Sequence, residues 1–353
     1  MDDPGIMNDG PEDLSELSDE LYERLSIRVD KGQEPLRIDK FLTARIQHAS
    51  RNKIQQGIEG GRVLVNNKPV QSNYKIRPQD EIVVFSEKPG AGEEIVPENI
   101  PLNIFFEDEE LIIINKPPGM VVHPGSGNYS GTLINGVAYY LQQQNSSITE
   151  ETLPRFGLVH RIDKNTSGLM VIAKTSRAVT SLAKQFFDHT VSRKYIALVW
   201  GDLQEDKGTI IAHVGRHQRF RKIFEAYPDG EHGKEAITHY EVLERFGYVT
   251  LIQCRLETGR THQIRVHMKY LGHPLFNDET YGGDKIVKGT IFSRYRQFVE
   301  NCFEICPRQA LHAKTIGFKH PATRKEMLFE SELPEDMSKL IEKWAGYIKT
   351  KNI

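Results

Sequence analysis

The densest polar stretch of the chain sets one acid among bases: His160-Arg161-Ile162-Asp163-Lys164-Asn165-Thr166-Ser167-Gly168. Asp163 is its single carboxylate, flanked by Arg161 and Lys164. Neighbouring cations favour the ionised form of a carboxyl group, and an ionised carboxylate can act as a nucleophile or a general base. A turn in which Asp and Asn cap the backbone accounts for the same residues. A second cluster runs Glu257-Thr258-Gly259-Arg260-Thr261-His262-Gln263-Ile264-Arg265-Val266-His267. Thr261 is placed to cap a helix on which His262, Arg265 and Lys269 share a face. Arg265 there suits pairing with a carboxylate or an anion; a solvated helix face is the alternative. His262 and His267 are five residues apart and point differently, so no metal site is expected. In a third stretch, Ser192-Arg193-Lys194-Tyr195-Ile196-Ala197, Tyr195 is either a ring for stacking a nucleobase or a core tyrosine.

These residues need elements to position them. The Asp163 stretch lies between Gly157-Leu158-Val159 and an apolar run that begins at Leu169. It reads as a loop held by strands, a common seat for reactive groups. Strands are expected at Leu111–Ile114, Leu169–Ala173, Lys194–Trp200, Ala236–Leu243 and Thr250–Leu256. Helices are expected at about 132–143, 177–188, 262–271 and 335–348. Strands dominate without strict alternation, which predicts an α+β domain over residues 102–346 with a mixed, largely antiparallel sheet and flanking helices. Before it, residues 25–88 read as a small module of two helices followed by strands. Ile38, Phe41, Leu42 and Ile46 have helical spacing, Ser50 caps a second helix carrying Ile54 and Ile58, and Arg62–Val65, Lys68–Val70 and Glu81–Phe85 are strands. Pro- and Gly-rich residues 89–101 read as a linker, and 347–353 as a tail.

Composition narrows the class. The chain has 353 residues, with 38% hydrophobic and 27% charged, ordinary values for a globular protein. No apolar run approaches the ~18 residues of a membrane helix. The acidic first residues do not have the pattern of a signal peptide, and three cysteines suit a reducing compartment rather than a disulfide scaffold; the expected location is the cytoplasm. Net charge is −2, from 46 bases and 48 acids, but residues 1–24 hold nine of the acids and one base, leaving 45 bases and 39 acids elsewhere. Residues 1–24 read as an acidic, disordered leader, or alternatively as a solvated helix from Leu14 to Leu25. The mildly basic body is compatible with nucleic acid. Within residues 25–88 there are 12 Lys/Arg and 7 Asp/Glu, and Lys40, Arg45, Arg51, Lys53 and Arg62 lie on or beside the two helices, where they could track phosphates. No Walker loop, dinucleotide fingerprint or kinase signature occurs.

Taken together, the clusters resemble the pseudouridine synthases of the large-subunit ribosomal RNA type, with an N-terminal RNA-binding module similar to that of ribosomal protein S4. The resemblance covers residues 26–346. It rests on Leu36–Phe85, Asn115-Lys116-Pro117-Pro118-Gly119 with His123-Pro124, His160–Lys164, Arg193-Lys194-Tyr195 and Gly259–His267. Val214-Gly215-Arg216-His217 and Arg308-Gln309-Ala310-Leu311-His312-Ala313 add to it. Ile162 and Asn165 depart from the family's frequent leucine and aspartate, and neither removes a reactive group.

The resemblance implies a cofactor-free isomerisation of uridine already in RNA, with a small S4-like α/β module beside the catalytic domain. It implies Asp163 as the essential carboxylate, Arg265 as its ion-pair partner and Tyr195 as the ring against the base. Arg161 would fill the vacated stack or touch phosphate, His160 would shape the loop at the RNA, and Lys116 would contact phosphate. The implied partner is large-subunit ribosomal RNA, free or in an assembling particle, with no membrane; nothing in the sequence demands more than a monomer. The competing readings are a non-catalytic RNA-binding or assembly factor, and a synthase acting on tRNA.

Overall fold

The computed structural model describes residues 22–46, 50–66, 68–86, 95–125, 128–220, 223–290 and 292–351. The acidic leader through residue 21 lies outside them. Residues 22–24, which the sequence assigns to the leader or to a helix, belong to a strand.

The chain forms two compact units. The N-terminal one contains β1 (Tyr22–Arg28), α1 (Ile38–Thr43), α2 (Arg51–Glu59), β2 (Val63–Val65), β3 (Lys68–Pro69) and β4 (Glu81–Ser86). Its antiparallel sheet has the order β1-β4-β2-β3. Ser50 Oγ accepts the Lys53 amide and so starts α2 as the sequence indicated. The apolar spacing then turns Ile38, Phe41 and Leu42 of α1 and Ile54 and Ile58 of α2 onto the sheet.

The second unit continues with β5 (Ile104–Glu107), β6 (Leu111–Lys116), α3 (Leu133–Gln144), β7 (Ser167–Ala173), α4 (Ser176–Phe187), β8 (Ser192–Trp200), β9 (Lys207–Ile211), β10 (His213–Arg216) and β11 (Phe224–Tyr227). It ends with β12 (Ile237–Arg245), β13 (Val249–Leu256), α5 (Gln263–Tyr270), α6 (Ser293–Ile305), β14 (Leu311–Lys319), β15 (Glu326–Glu330) and α7 (Glu335–Lys351). A nine-stranded sheet runs β5-β6-β7-β14-β8-β13-β12-β9, with β15 beside β14. Its pairs are antiparallel, except that β7 and β14 run parallel. The fold is thus α+β with a mixed, largely antiparallel sheet. β10 and β11 form a separate hairpin.

Alternation along the strands sorts the core into two faces. Ile112, Ile114, Ala197, Val199 and Cys254 point to the face covered by α3 and α5. Ile196, Leu198 and Trp200 point to the opposite face, beneath α6 and α7, and Leu169 and Val171 lie beneath α4. The continuous apolar runs in β6 and β8 follow from this two-sided burial. The linker expected over 89–101 is partly built into this unit: Ile95 is buried in its core and Asn135 Nδ2 donates to the Val96 carbonyl at 2.8 Å.

Candidate active site

Residues 158–166 lead into β7, on the sheet face that carries α5. The Asp163 carbonyl accepts the Thr166 amide at 3.1 Å, closing a turn. Two buried cations hold that turn by its carbonyls. Lys116 Nζ, at the end of β6, donates to Pro117, Met120 and Lys164 oxygens, each at 2.9 Å. Arg308 Nη1 donates to the Asn165 carbonyl at 3.0 Å, while its Nε and Nη2 pair with Asp336 at 2.7 and 3.0 Å. After the turn, Gly168 has φ +122°, and a Cβ there would lie 2.2 Å from the Ala313 carbonyl oxygen. Only glycine permits β7 to approach β14 this closely, which accounts for the Ser-Gly that ends the polar stretch.

Helix α5 presents Arg265 to the same spot. Gln263 fastens its start: the side-chain oxygen accepts from Thr258 Oγ1 and the Arg260 amide, and the side-chain nitrogen donates to the Ile237 carbonyl and Thr238 Oγ1. His267 is buried one turn on, against Thr238 Oγ1 and the Ala212 carbonyl. So fixed, Arg265 Nη1 donates to Asp163 Oδ2 at 2.9 Å. Its other edge grips Asp278 twice, Nε to Oδ2 at 2.7 Å and Nη2 to Oδ1 at 2.9 Å. The two-bond fork leaves Arg265 one orientation. Asp278 is itself held by the Thr280 and Tyr281 amides, and the Tyr281 ring lies 4.9 Å from the guanidinium.

Asp163, Tyr195 and Arg265 line one cleft, with Arg161, Arg193 and Arg260 also in its walls. The three central groups expected from the sequence therefore stand together. Burial alone pushes Asp163 up, but the charges of His262, Arg265 and Arg161 and the Arg265 hydrogen bond outweigh it and hold the carboxyl below the usual carboxylate range. Burial pulls His262 below its own ordinary value, so at neutral pH the arginines carry this effect. Burial likewise pushes the Tyr195 phenol up, outweighing the opposing charge of Arg193, and Asp163 adds a smaller push in the same direction as burial. The cleft thus offers an ionised carboxylate and a neutral phenol side by side, inside cationic walls.

Three sequence expectations change. Lys116 is fully buried and all three of its donors are taken by carbonyls, so it ties loops together and touches no phosphate. Burial pulls its ammonium down to about 7, while the three carbonyls match the three N–H donors of the charged form. His160 is not an RNA contact either. Its Nε2 accepts the Val171 amide at 3.0 Å and its ring stacks on Phe186, 4.5 Å between centroids; burial lowers its pKa to about 3. Thr261 does not cap α5, because His262 occupies the N-cap position in the left-handed conformation, φ 56°. Asp278, His262 and Tyr281 were missed as parts of the site. Asp278 lies 13 residues from Arg265, beyond helical spacing, and nothing local announces the pair.

Residues 110–270 match the family model described as RNA pseudouridylate synthase, and residues 36–82 match the S4 domain. An uncharacterized RNA pseudouridine synthase of Chlorobaculum parvum is 45% identical over 90% of this chain and 97% of its own length. The chain belongs to the RNA pseudouridine synthase family. A second relative of this synthase, ribosomal large subunit pseudouridine synthase D of Nitrosomonas europaea, is 40% identical over 94% of this chain and 91% of its own. The solved structure of human RNA pseudouridylate synthase domain containing 4 has the same fold, with TM-score 0.52 and 20% identity over 69% of this chain and 93% of that one.

The S4 domain of the synthase displays the expected cations. Lys40, Arg45, Arg51 and Lys53 are exposed, and Arg62 is half-buried. The organising group is one the sequence did not suggest. Asp39 is buried and accepts from Arg37, from Arg51 at 2.9 and 3.1 Å, and from Gln55 at 2.9 Å. Burial pushes this carboxyl up, and the Arg37, Arg51 and Gln55 bonds bring it far below its ordinary value. Arg51 is thereby fixed in place rather than free in solvent. Arg45 lies over the Phe41 ring at 3.7 Å.

Proposed function

We propose that this synthase converts specific uridines of large-subunit ribosomal RNA to pseudouridine, with Asp163 as the reacting carboxylate and without a cofactor. The observation that carries the proposal is the ionised Asp163, held at 2.9 Å by Arg265 in a cationic cleft that also contains Tyr195. The reaction breaks the bond from C1′ to N1 and joins C1′ to C5; C5 loses a proton and N1 gains one, so no redox partner or group donor is required. A carboxylate that must attack the sugar or the base, or take a proton from the sugar, has to stay charged in a buried place, and Arg265 provides for that. Tyr195, kept neutral, stacks on the base. Arg161 occupies the space left when the target nucleotide turns out of its stack, a step that costs a few kcal/mol.

In this proposal residues 25–88 grip RNA backbone through Lys40, Arg45, Arg51, Lys53 and Arg62, and residues 102–346 choose and convert the base. The protein acts as a monomer in the cytoplasm, and no described helix is long and apolar enough to cross a membrane. The large-subunit substrate is supported by the relatives named for it.

The test is tritium release from RNA labelled at uridine C5, with unmodified large-subunit RNA, small-subunit RNA and tRNA in parallel. Release from large-subunit RNA alone is expected. Release from tRNA alone would replace the substrate class, and tight binding without release from any RNA, free or in a ribosomal particle, would leave a binding factor.

A further inference from the structure

The reaction leaves without a role both His262, which lines the cleft, and Tyr281, which is buried against it. His262 stands at the entry to α5 in a left-handed backbone conformation, φ 56° and ψ 17°. That conformation turns its ring toward Asp163, with Nε2 3.9 Å from Oδ1. The opposite nitrogen, Nδ1, lies 2.8 Å from the Tyr281 hydroxyl. The same hydroxyl accepts the Phe224 amide N–H at 3.2 Å.

This chain of contacts bears on which imidazole nitrogen holds the proton. A phenol has one proton to donate, and here its oxygen already accepts from a backbone amide. Burial raises the Tyr281 pKa well above its ordinary value, so the phenol keeps that proton. The hydroxyl proton is then matched by Nδ1 as a bare, accepting nitrogen at 2.8 Å. Burial, with Arg265 and Arg161 on the same side, outweighs Asp163 and Asp278 and keeps the ring neutral at neutral pH. A neutral imidazole with a bare Nδ1 carries its proton on Nε2, the nitrogen that faces the cleft.

We infer that His262 Nε2–H donates a hydrogen bond to a carbonyl oxygen of the target uracil, and that Tyr281 sets the tautomer that makes this possible. The inference rests on the pseudouridine synthase reading and adds a residue to it. When the C1′–N1 bond breaks, its electron pair goes to the ring and spreads over N1 and the two carbonyl oxygens. If Asp163 instead adds to the ring, the displaced pair again collects on a carbonyl oxygen. A fixed donor beside Asp163 stabilises either species, since preorganised donors act where charge develops. His262 keeps its proton throughout; the proton that leaves C5 and the one gained at N1 pass elsewhere.

The experiment combines single-turnover tritium release from C5-labelled large-subunit RNA with RNA affinity by filter binding and ¹⁵N NMR of histidine rings near pH 8. Wild type, Asp163→Asn, His262→Phe, His262→Gln and Tyr281→Phe are compared. We expect His262→Phe to lower the single-turnover rate about 100-fold, the usual effect of removing such a donor, with affinity unchanged. His262→Gln, which brings an amide N–H to a similar place, recovers part of the rate. Tyr281→Phe loses less than His262→Phe. The NMR signal assigned to His262, as the one missing from His262→Gln, should show Nδ1 bare and Nε2 protonated in wild type and a tautomer mixture in Tyr281→Phe.

A His262→Phe rate equal to wild type overturns the inference. So do equal losses in the Phe and Gln variants, a loss of affinity at unchanged rate, or a protonated Nδ1 in wild type. If wild type releases no tritium from any RNA, the function proposed above fails instead, and the NMR result still decides the tautomer.

Discussion

Replacing Asp278 by alanine tests whether the Asp163 cleft depends on a carboxylate that is not expected to touch RNA. The Asp278 side chain is 1% exposed and that of Arg265 6%, and two bonds of 2.7 and 2.9 Å join them. Removing one member of a buried ion pair costs roughly 3–5 kcal/mol, because the remaining charge is left without compensation. Arg265 keeps Asp163 as a counter-charge at 2.9 Å, so the lower end, about 3 kcal/mol, applies. For a unit of this size that corresponds to a fall in Tm of about 6–12 °C. Asp278→Asn keeps an oxygen for Arg265 and for the Thr280 and Tyr281 amides and should lose about half as much. Activity should suffer beyond stability. An Arg265 free to rotate no longer fixes Asp163, and misplacement of a reacting group by about 1 Å costs on the order of 100-fold in rate. The assays are thermal unfolding and single-turnover conversion at saturating enzyme, well below the variant's Tm. An alanine variant within about 0.5 kcal/mol of wild type and equally fast would show that α5 alone orients Arg265, and the reasoning would be refuted.

Further outcomes follow from the same geometry. Because Asp163 has a lowered pKa in the fold, its ion pair stabilises the protein above the unfolded carboxyl's pKa of about 3.9, and that contribution disappears as pH falls through the lower folded value. Arg265→Gln leaves burial opposed by less charge, so the acid limb of the pH–rate profile should move to higher pH; an unmoved limb would mean that Arg265 does not hold Asp163 ionised. Asp39→Ala should destabilise the S4 domain by about 2 kcal/mol, discounted because Arg37 and Arg51 are 39% and 47% exposed, and it should weaken RNA binding by freeing Arg51. Chemical denaturation and filter binding read the two effects. Lys40→Ala with Lys53→Ala should reduce the slope of log affinity against log salt by about 1 for each phosphate that a lysine no longer neutralises, with the single-turnover rate at saturating protein unchanged; an unchanged slope would move the RNA off this helical face.

The sequence made some of this visible and hid the rest for identifiable reasons. Strands with continuous apolar runs, such as β6 and β8, are legible because Leu111–Ile114 and Ile196–Trp200 are short and rich in β-branched residues, as strands buried on both faces are. Short strands with mixed burial, β9, β10 and β11, carry no such pattern. Helix α6 did have a signal: Tyr295, Val299 and Cys302 fall at helical spacing and are buried together. The pairing of Asp163 with Arg265 was anticipated only through the family resemblance, since they stand 102 residues apart. Asp278 and Asp39 look in sequence like solvated acids, and only the fold brings arginines to them. Lys116 misled for the opposite reason. A lysine beside two prolines suggests an exposed turn, yet three carbonyls converge on its ammonium. The N-cap of α5 was misplaced by one residue because threonine is a good cap in isolation, while the chain enters the helix through His262 in a left-handed conformation that its residue type does not announce.

The most direct test of the account replaces the charge of Asp163 and little else. Asp163→Asn, incubated in excess with unmodified large-subunit ribosomal RNA, is compared with wild type by nucleoside chromatography of the digested RNA, which separates pseudouridine from uridine. The account predicts a folded variant that binds the RNA as tightly as wild type and forms no pseudouridine. Pseudouridine formed by Asp163→Asn at a rate near that of wild type would contradict it, and the reacting group would have to be sought elsewhere in the cleft.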